Sequence, residues 1–209
     1  MNFKAIILAA GKGTRMKSKS PKVVHKVCGK EMVNHVIDIS NKAGVNDVVV
    51  ILGHGSETVK NVIPEKSIVV MQTEQLGTGH AVKMAKDTIN DDDIIVVLCG
   101  DTPLIEKETL EKLFAYHLEN EYMATVLTTK VEDPTGYGRV IRDSEGNFEK
   151  IVEQKDANEE ELAVNEINSG IYCFKGDKLK EALDLLDNNN AQGEYYLTDT
   201  MKIIKDRGS

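Results

Sequence analysis

Through the first 120 residues, short runs rich in Val, Ile and Leu alternate with segments of helical periodicity. Residues 3–9 (FKAIILA), 47–52 (DVVVIL), 67–71 (SIVVM) and 94–99 (IIVVLC) read as strands, almost wholly apolar and therefore covered on both faces. Between them, residues 32–43, 56–63 and 78–89 read as helices. In the first of these, Met32, Val33, Val36 and Ile37 share one face. Buried strands separated by helices predict a parallel sheet sandwiched between helical layers.

The pattern then changes. After an amphipathic helix at 106–120, residues 123–130, 138–143 and 148–153 read as strands joined by turns. Ser144-Glu145-Gly146-Asn147 reads as a hairpin connection, and residues 170–174 (GIYCF) as one more strand. Helical stretches at 178–186 and 195–205 follow. The expected fold class is α/β: a Rossmann-like, doubly wound mixed sheet, mostly parallel, with a β-rich elaboration in the second half. Without repeats, low-complexity tracts or a Pro-rich linker, residues 1–209 read as one domain, divided into a half at about 1–120 and a second at about 121–209.

Charge sharpens this picture. The formal net charge of −8 disfavours a general nucleic-acid binder. Yet residues 1–30 hold eight basic side chains (Lys4, Lys12, Arg15, Lys17, Lys19, Lys22, Lys26, Lys30) and no acidic one. Such segregation on an acidic body suits either a local anion site or a solvated basic face. No apolar run approaches the ~20 residues of a membrane span, and no secretory leader is evident. Cys28, Cys99 and Cys173 are scattered and read as thiols in a reducing cytoplasm. The five histidines lack H-x-x-x-H spacing, and G-x-S-x-G is absent, so neither a zinc site nor a Ser-His-Asp hydrolase is indicated.

The chemistry concentrates after the first strand, in LAAGKGTRMKSKSPK. Gly11 and Gly13 permit a tight turn whose backbone N–H groups cradle phosphate, at the strand end where open α/β sheets bind ligands. A dinucleotide fingerprint would need a third glycine where Met16 stands, and an acidic residue where the chain reads Gly53-His54. A P-loop is not matched either. What remains is a phosphate loop with outlying cations, Arg15 and Lys22, the latter after Pro21, which keeps the preceding backbone extended. Asp101, just beyond a buried strand, suits either a metal anchor for Mg²⁺ or the N-cap of the next helix. Gln72 offers both a donor and an acceptor, as the imide edge of uracil requires. His80 reads as a packing residue.

The opening loop, followed in order by GHGSETVK, QTEQLGTGHAV, LCGDTPLI, GYGRVIR, IVEQKDA and EINSGIYCF, resembles the sugar-1-phosphate nucleotidyltransferases over nearly the whole chain. Within them it is most similar to the uridyltransferase half of the bifunctional bacterial N-acetylglucosamine-1-phosphate uridyltransferase/glucosamine-1-phosphate acetyltransferases. The resemblance implies transfer of UMP from UTP to N-acetylglucosamine 1-phosphate, a cytoplasmic step of cell-wall precursor synthesis. It implies nucleotide contacts at Leu8, Ala9, Ala10, Gly11, Gly13, Lys22, Gln72, Gly77 and Thr78, with Arg15 and Lys22 catalytic and Mg²⁺ on Asp101. It also implies sugar contacts at Gly138, Glu153 and Asn168, which singly read as a hairpin glycine, an exposed strand carboxylate and a turn asparagine. Cys99 departs from the aromatic residue often found there. A second metal ligand of the family, an asparagine, falls beyond Ser209, and the hexapeptide repeats of the acetyltransferase domain do not occur, so acetyl transfer is not expected. The partners expected are the two substrates, with no nucleic acid and no membrane; homo-oligomerisation is not legible. The competing readings are a transferase for another sugar 1-phosphate and a non-catalytic UDP-sugar-binding module.

Overall fold

The apolar runs of the first half pair with one another in parallel; those at 2–9, 47–52 and 93–99 are largely buried on both faces, but the run at 68–71, expected to be covered as well, lies at the sheet edge and leaves Ile68, Val69 and Met71 exposed. A computed structural model describes residues 2–11, 13, 16–18 and 20–208. Its elements run β1 (Asn2–Ala9), a short hairpin β2 (Lys26–Val27) and β3 (Lys30–Glu31), α1 (Met32–Lys42), β4 (Asp47–Leu52), α2 (Ser56–Lys60), β5 (Ile68–Met71), α3 (Thr78–Met84) and β6 (Asp93–Cys99). There follow α4 (Lys107–Glu119), β7 (Ala124–Lys130), β8 (Arg139–Arg142), β9 (Phe148–Val152), α5 (Glu159–Leu162), β10 (Glu166–Lys175), α6 (Gly176–Leu185) and α7 (Asp199–Asp206).

The eight-stranded sheet has the order β5-β4-β1-β6-β10-β8-β9, with β7 paired to β10. Its first four strands are parallel, with Ile6 of β1 opposite Val49 of β4 and Val97 of β6. The second half joins them in antiparallel fashion through β10. Tyr172–Lys175 of that strand pair with β6, while its two halves also pair with β7. The fold is thus α/β with a mixed sheet, as expected, its four parallel strands forming one side and its antiparallel strands the other.

Alternation along each strand sends neighbouring residues to opposite layers. Ala5, Ile7, Val50, Leu52, Val96 and Leu98 pack beneath Val36 and Ile37 of α1 and Leu110 and Phe114 of α4. Ile6, Val49, Ile51, Ile95 and Val97 pack beneath Val82 of α3 and Leu179 and Leu183 of α6. Each buried Val, Leu, Ile or Phe among them contributes about 1.5–3 kcal/mol of transfer free energy.

Some expectations needed correction. The helix expected at 195–205 begins only at Asp199. Tyr195 instead spends its backbone groups on a neighbouring loop: its N–H donates to Leu76 O (2.8 Å) and its carbonyl accepts from Gly79 N (2.8 Å). Those tertiary bonds outcompete the helix that local periodicity favours. The helix expected at 78–89 breaks after Met84 into a one-turn 3-10 segment at Lys86–Thr88. The β2–β3 hairpin was not anticipated; its two turn residues, Cys28 (φ 50°) and Gly29 (φ 83°), both take positive φ, as a tight two-residue hairpin requires. Among the described residues no helix is long and apolar enough to cross a membrane.

Candidate functional site

A cavity of about 670 Å³ opens beyond the carboxyl ends of β1 and β6. Its wall includes Leu8, Ala9, Ala10, Gly11, Gly13, Lys22, Gln72, Gly77, Thr78 and Asp101, residues from four separate stretches of sequence. All nine expected nucleotide contacts and the expected metal anchor therefore face one space. Arg15, the other expected catalytic cation, lies outside the described residues.

Local packing explains why the loop after β1 carries glycine. Gly13 has φ +59°, and a Cβ there would stand 2.7 Å from Lys22 Cβ, so the turn and the lysine are pressed together. Pro21, buried and extended at ψ 143°, opens the one-turn 3-10 helix Lys22–Val24 and so fixes where the lysine departs. Lys22 Nζ forms an ion pair with Asp101 Oδ2, both side chains remaining partly exposed. Asp101 is not a helix cap: α4 begins six residues later at Lys107, with Glu106 at its N-cap. The capping alternative for Asp101 is thereby removed.

The opposite wall is the loop between β5 and α3. Gln72 is almost fully buried, and its Nε2 donates to Gly77 O (3.0 Å) and to His80 Nδ1 (3.1 Å). Gln75 Nε2 reaches across to Ala10 O (2.6 Å), tying this loop to the phosphate loop. Thr78 Oγ1 accepts from Leu197 N (3.1 Å), so the threonine also anchors the strip at 194–197. Sequence reasoning missed Gln75 and treated His80 as packing only; the residue types in QTEQLGTGHA gave the sole hint of either.

Gly138, Glu153 and Asn168 come together beside this cavity. Asn168 N donates to Gly138 O (2.9 Å), and the space where a Gly138 Cβ would sit lies 3.5 Å from both carboxylate oxygens of Glu153. A register shift in β10 between Asn168 and Tyr172 aims the asparagine. Its Nδ2 donates to Tyr172 OH (2.6 Å) and its Oδ1 accepts from Gly170 N (3.0 Å). Gly170 in turn touches Cys99, where a Cβ would come within 3.2 Å of the Cys99 Sγ, and Cys99 lines the cavity. Glu153 is therefore neither an exposed strand carboxylate nor isolated from the first group.

Burial sets the protonation of this region. Desolvation raises the Glu153 carboxyl, Thr198 Oγ1 (3.2 Å) partly offsets that by hydrogen bonding, and Asp156 and Glu194 push it higher. Asp199, at the start of α7, is pushed up to about 6 by burial and then by Asp187, Glu153 and Asp156. The Cys99 thiol is pushed up to about 11, chiefly by burial, and so packs as a neutral group rather than serving as a nucleophile.

The Asp199 shift has a sign that can be checked. A carboxyl raised on folding favours the native state at low pH, and stability is lost as pH climbs from its unfolded value to about 6. Asp199→Asn should therefore stabilise the protein by roughly 1–2 kcal/mol at pH 7.5, with most of that gain gone near pH 4. Urea midpoints at the two pH values measure this; an equal gain at both would contradict the assignment.

The donors available for a metal are few. Among the described residues no three His, Cys, Asp or Glu side chains cluster as a cage. Asp101 is one partly exposed carboxylate at the cavity edge, facing the phosphate loop. That suits Mg²⁺, which commonly uses one or two carboxylates and takes its remaining ligands from substrate phosphates and water.

Comparison with known proteins adds independent findings. The nucleotidyl transferase family profile matches residues 4–209. The bifunctional protein GlmU of Clostridioides difficile (strain 630) is 73% identical over 208 residues, covering 100% of this chain and 45% of that protein. Its counterpart in Alkaliphilus oremlandii (strain OhILAs) is 59% identical over 208 residues, covering 100% of this chain and 46% of that one. The chain thus spans somewhat under half the length of these relatives. Among solved structures, a UDP-glucose pyrophosphorylase complexed with UDP-glucose superposes with a TM-score of 0.80 at 20% identity, covering 99% of this chain and 88% of that one. The latter likeness speaks to the fold.

Proposed function

Because the chain belongs to the nucleotidyl transferase family, we propose that it transfers UMP from UTP to N-acetylglucosamine 1-phosphate, releasing pyrophosphate and UDP-N-acetylglucosamine. One observation carries this reading: the phosphate loop, the Lys22–Asp101 pair and the Gln72–Thr78 loop wall a single cavity, with Gly138, Glu153 and Asn168 beside it. A nucleotide spans the first group, and a hydroxyl-rich sugar suits the amide, carboxylate and backbone groups of the second.

In the proposed reaction an oxygen of the sugar phosphate attacks the α-phosphorus of UTP in line. The new P–O bond forms as the bond to the β-phosphate oxygen breaks, and pyrophosphate leaves with that electron pair. The attacking phosphate is already ionised at neutral pH, so no general base is needed. The protein's work is positioning and charge neutralisation. The backbone turn at Gly11 and Gly13 receives the phosphates, and Lys22, with Arg15, offsets the charge of the triphosphate and its leaving group. Gln72, Gly77 and Thr78 hold the base. Gly138, Glu153 and Asn168 orient the sugar so that its phosphate lines up behind the α-phosphorus. Mg²⁺, when bound, is held by Asp101 and supplies further neutralisation of phosphate charge. On this reading residues 1–209 act as one domain, residues 1–120 binding nucleotide and 121–209 binding sugar.

The test is pyrophosphate release from the chain supplied with UTP, Mg²⁺ and a panel of sugar 1-phosphates. Release confined to N-acetylglucosamine 1-phosphate is expected. Preference for glucose 1-phosphate would replace the acceptor, and silence across the panel from folded protein would defeat the reading.

A further inference from the structure

The orientation of one buried amide decides which base edge the cavity can accept. Gln72 spends both Nε2 hydrogens inside the protein, one on Gly77 O (3.0 Å) and one on His80 Nδ1 (3.1 Å). Its Oε1 makes no hydrogen bond among the described residues, and Gln72 lines both the nucleotide cavity and a neighbouring one bounded by His54 and Thr73. Both acceptors belong to the start of α3. The Gly77 carbonyl is itself fixed by Ala81 N (3.1 Å), the first hydrogen bond of that helix. The His80 ring lies beside that of Tyr195, centroids 6.3 Å apart, and in its contact with the Gln72 amide Nδ1 is the accepting atom.

We infer that His80 is a positioning residue for base selection: with Gly77 it locks the Gln72 amide so that the cavity offers the base a fixed acceptor and no amide donor. This rests on the nucleotide reading above and deepens it. Uracil presents a ring N3–H, which donates to Gln72 Oε1. Cytosine presents an unprotonated N3 at the same place, so two lone pairs would face each other. A glutamine free to turn would rescue cytosine by swinging its NH₂ toward that nitrogen. The turned amide, however, would aim its oxygen at the Gly77 carbonyl, which has no proton to offer, and would oblige His80 to carry its ring proton on Nδ1. The lock therefore works chiefly by refusing the wrong base, as selective sites commonly do.

The test compares UTP and CTP binding to the chain by titration calorimetry in Mg²⁺, for the unaltered protein and for His80→Phe, His80→Leu and His80→Asn. The phenylalanine variant keeps a ring without an acceptor, and the leucine variant gives a second apolar replacement should the first not fold. Asparagine returns an acceptor near the position of Nδ1. Losing one neutral hydrogen bond of the lock should shrink the UTP:CTP affinity ratio about 3- to 10-fold in the apolar variants. His80→Asn should restore it to within about twofold. A purely structural histidine would lower both affinities together and leave the ratio unmoved, and that result in folded His80→Phe or His80→Leu overturns the inference. Failure of His80→Asn to improve on the apolar variants also overturns it. If the unaltered chain binds neither nucleotide, the functional reading itself fails, visibly and before any substitution.

Discussion

Lys22→Ala should slow pyrophosphate release from UTP by about 10²–10³-fold, the usual cost of deleting a charged donor aimed at developing negative charge. The ammonium stands at the cavity mouth paired with Asp101, and its backbone is fixed by Pro21 before it and by Gly13 against its Cβ. A cation held this way costs little reorganisation when phosphate charge shifts toward the leaving group. The same substitution should hardly affect folding, because a partly exposed ion pair is worth about 0–1 kcal/mol. Steady-state rates and a thermal melt on one preparation separate the two effects. A rate within threefold of the unaltered protein would remove Lys22 from the proposed mechanism.

Gly77→Ala should be nearly as damaging by a different route. Gly77 has φ +111°, and a Cβ there would stand 2.5 Å from Tyr195 O and 2.9 Å from Tyr195 N. Backbone strain of about 1–3 kcal/mol adds to overpacking of about 1–3 kcal/mol. The loop must then peel from the 194–197 strip, carrying off the carbonyl that holds Gln72. UTP affinity should fall about 100-fold, and the melting temperature by about 5–10 °C. Gly193→Ala is the control: its φ is also positive, at +64°, but nothing lies within 4 Å of the added methyl. Equal losses at the two positions would mean that the Tyr195 contact is irrelevant.

The parallel core was legible because each strand carries its own evidence. Residues 47–52 and 94–99 are apolar on both faces, and the structure buries them on both faces. The phosphate loop was legible for a similar reason, since Gly11, Gly13 and Lys22 lie within one short stretch of chain, residues 11–22. Asp101 left two meanings open until the start of α4 was known. Other features depend on partners far away in sequence. The extended course at Tyr195 follows from Leu76 and Gly79, which no window around residue 195 contains. The convergence of Gly138, Glu153 and Asn168 came from resemblance alone, because each is ambiguous until β8, β9 and β10 lie side by side. His80 was read as packing because its acceptor role exists only once α3 folds beneath Gln72.

The place of β10 has a consequence for how the molecule is made. That strand alone joins β6 on one side and β7 on the other, yet it ends at Lys175, long after β6 ends at Cys99. A ribosome emits the intervening stretch in roughly 4–15 s at about 5–20 residues per second. Throughout that interval the nascent parallel sheet has β1 on one side of β6 and an open hydrogen-bonding edge on the other, flanked by fully apolar faces. Translational pausing before residue 175 prolongs this exposure, and chaperone capture of stalled chains should be greatest between β6 and β10.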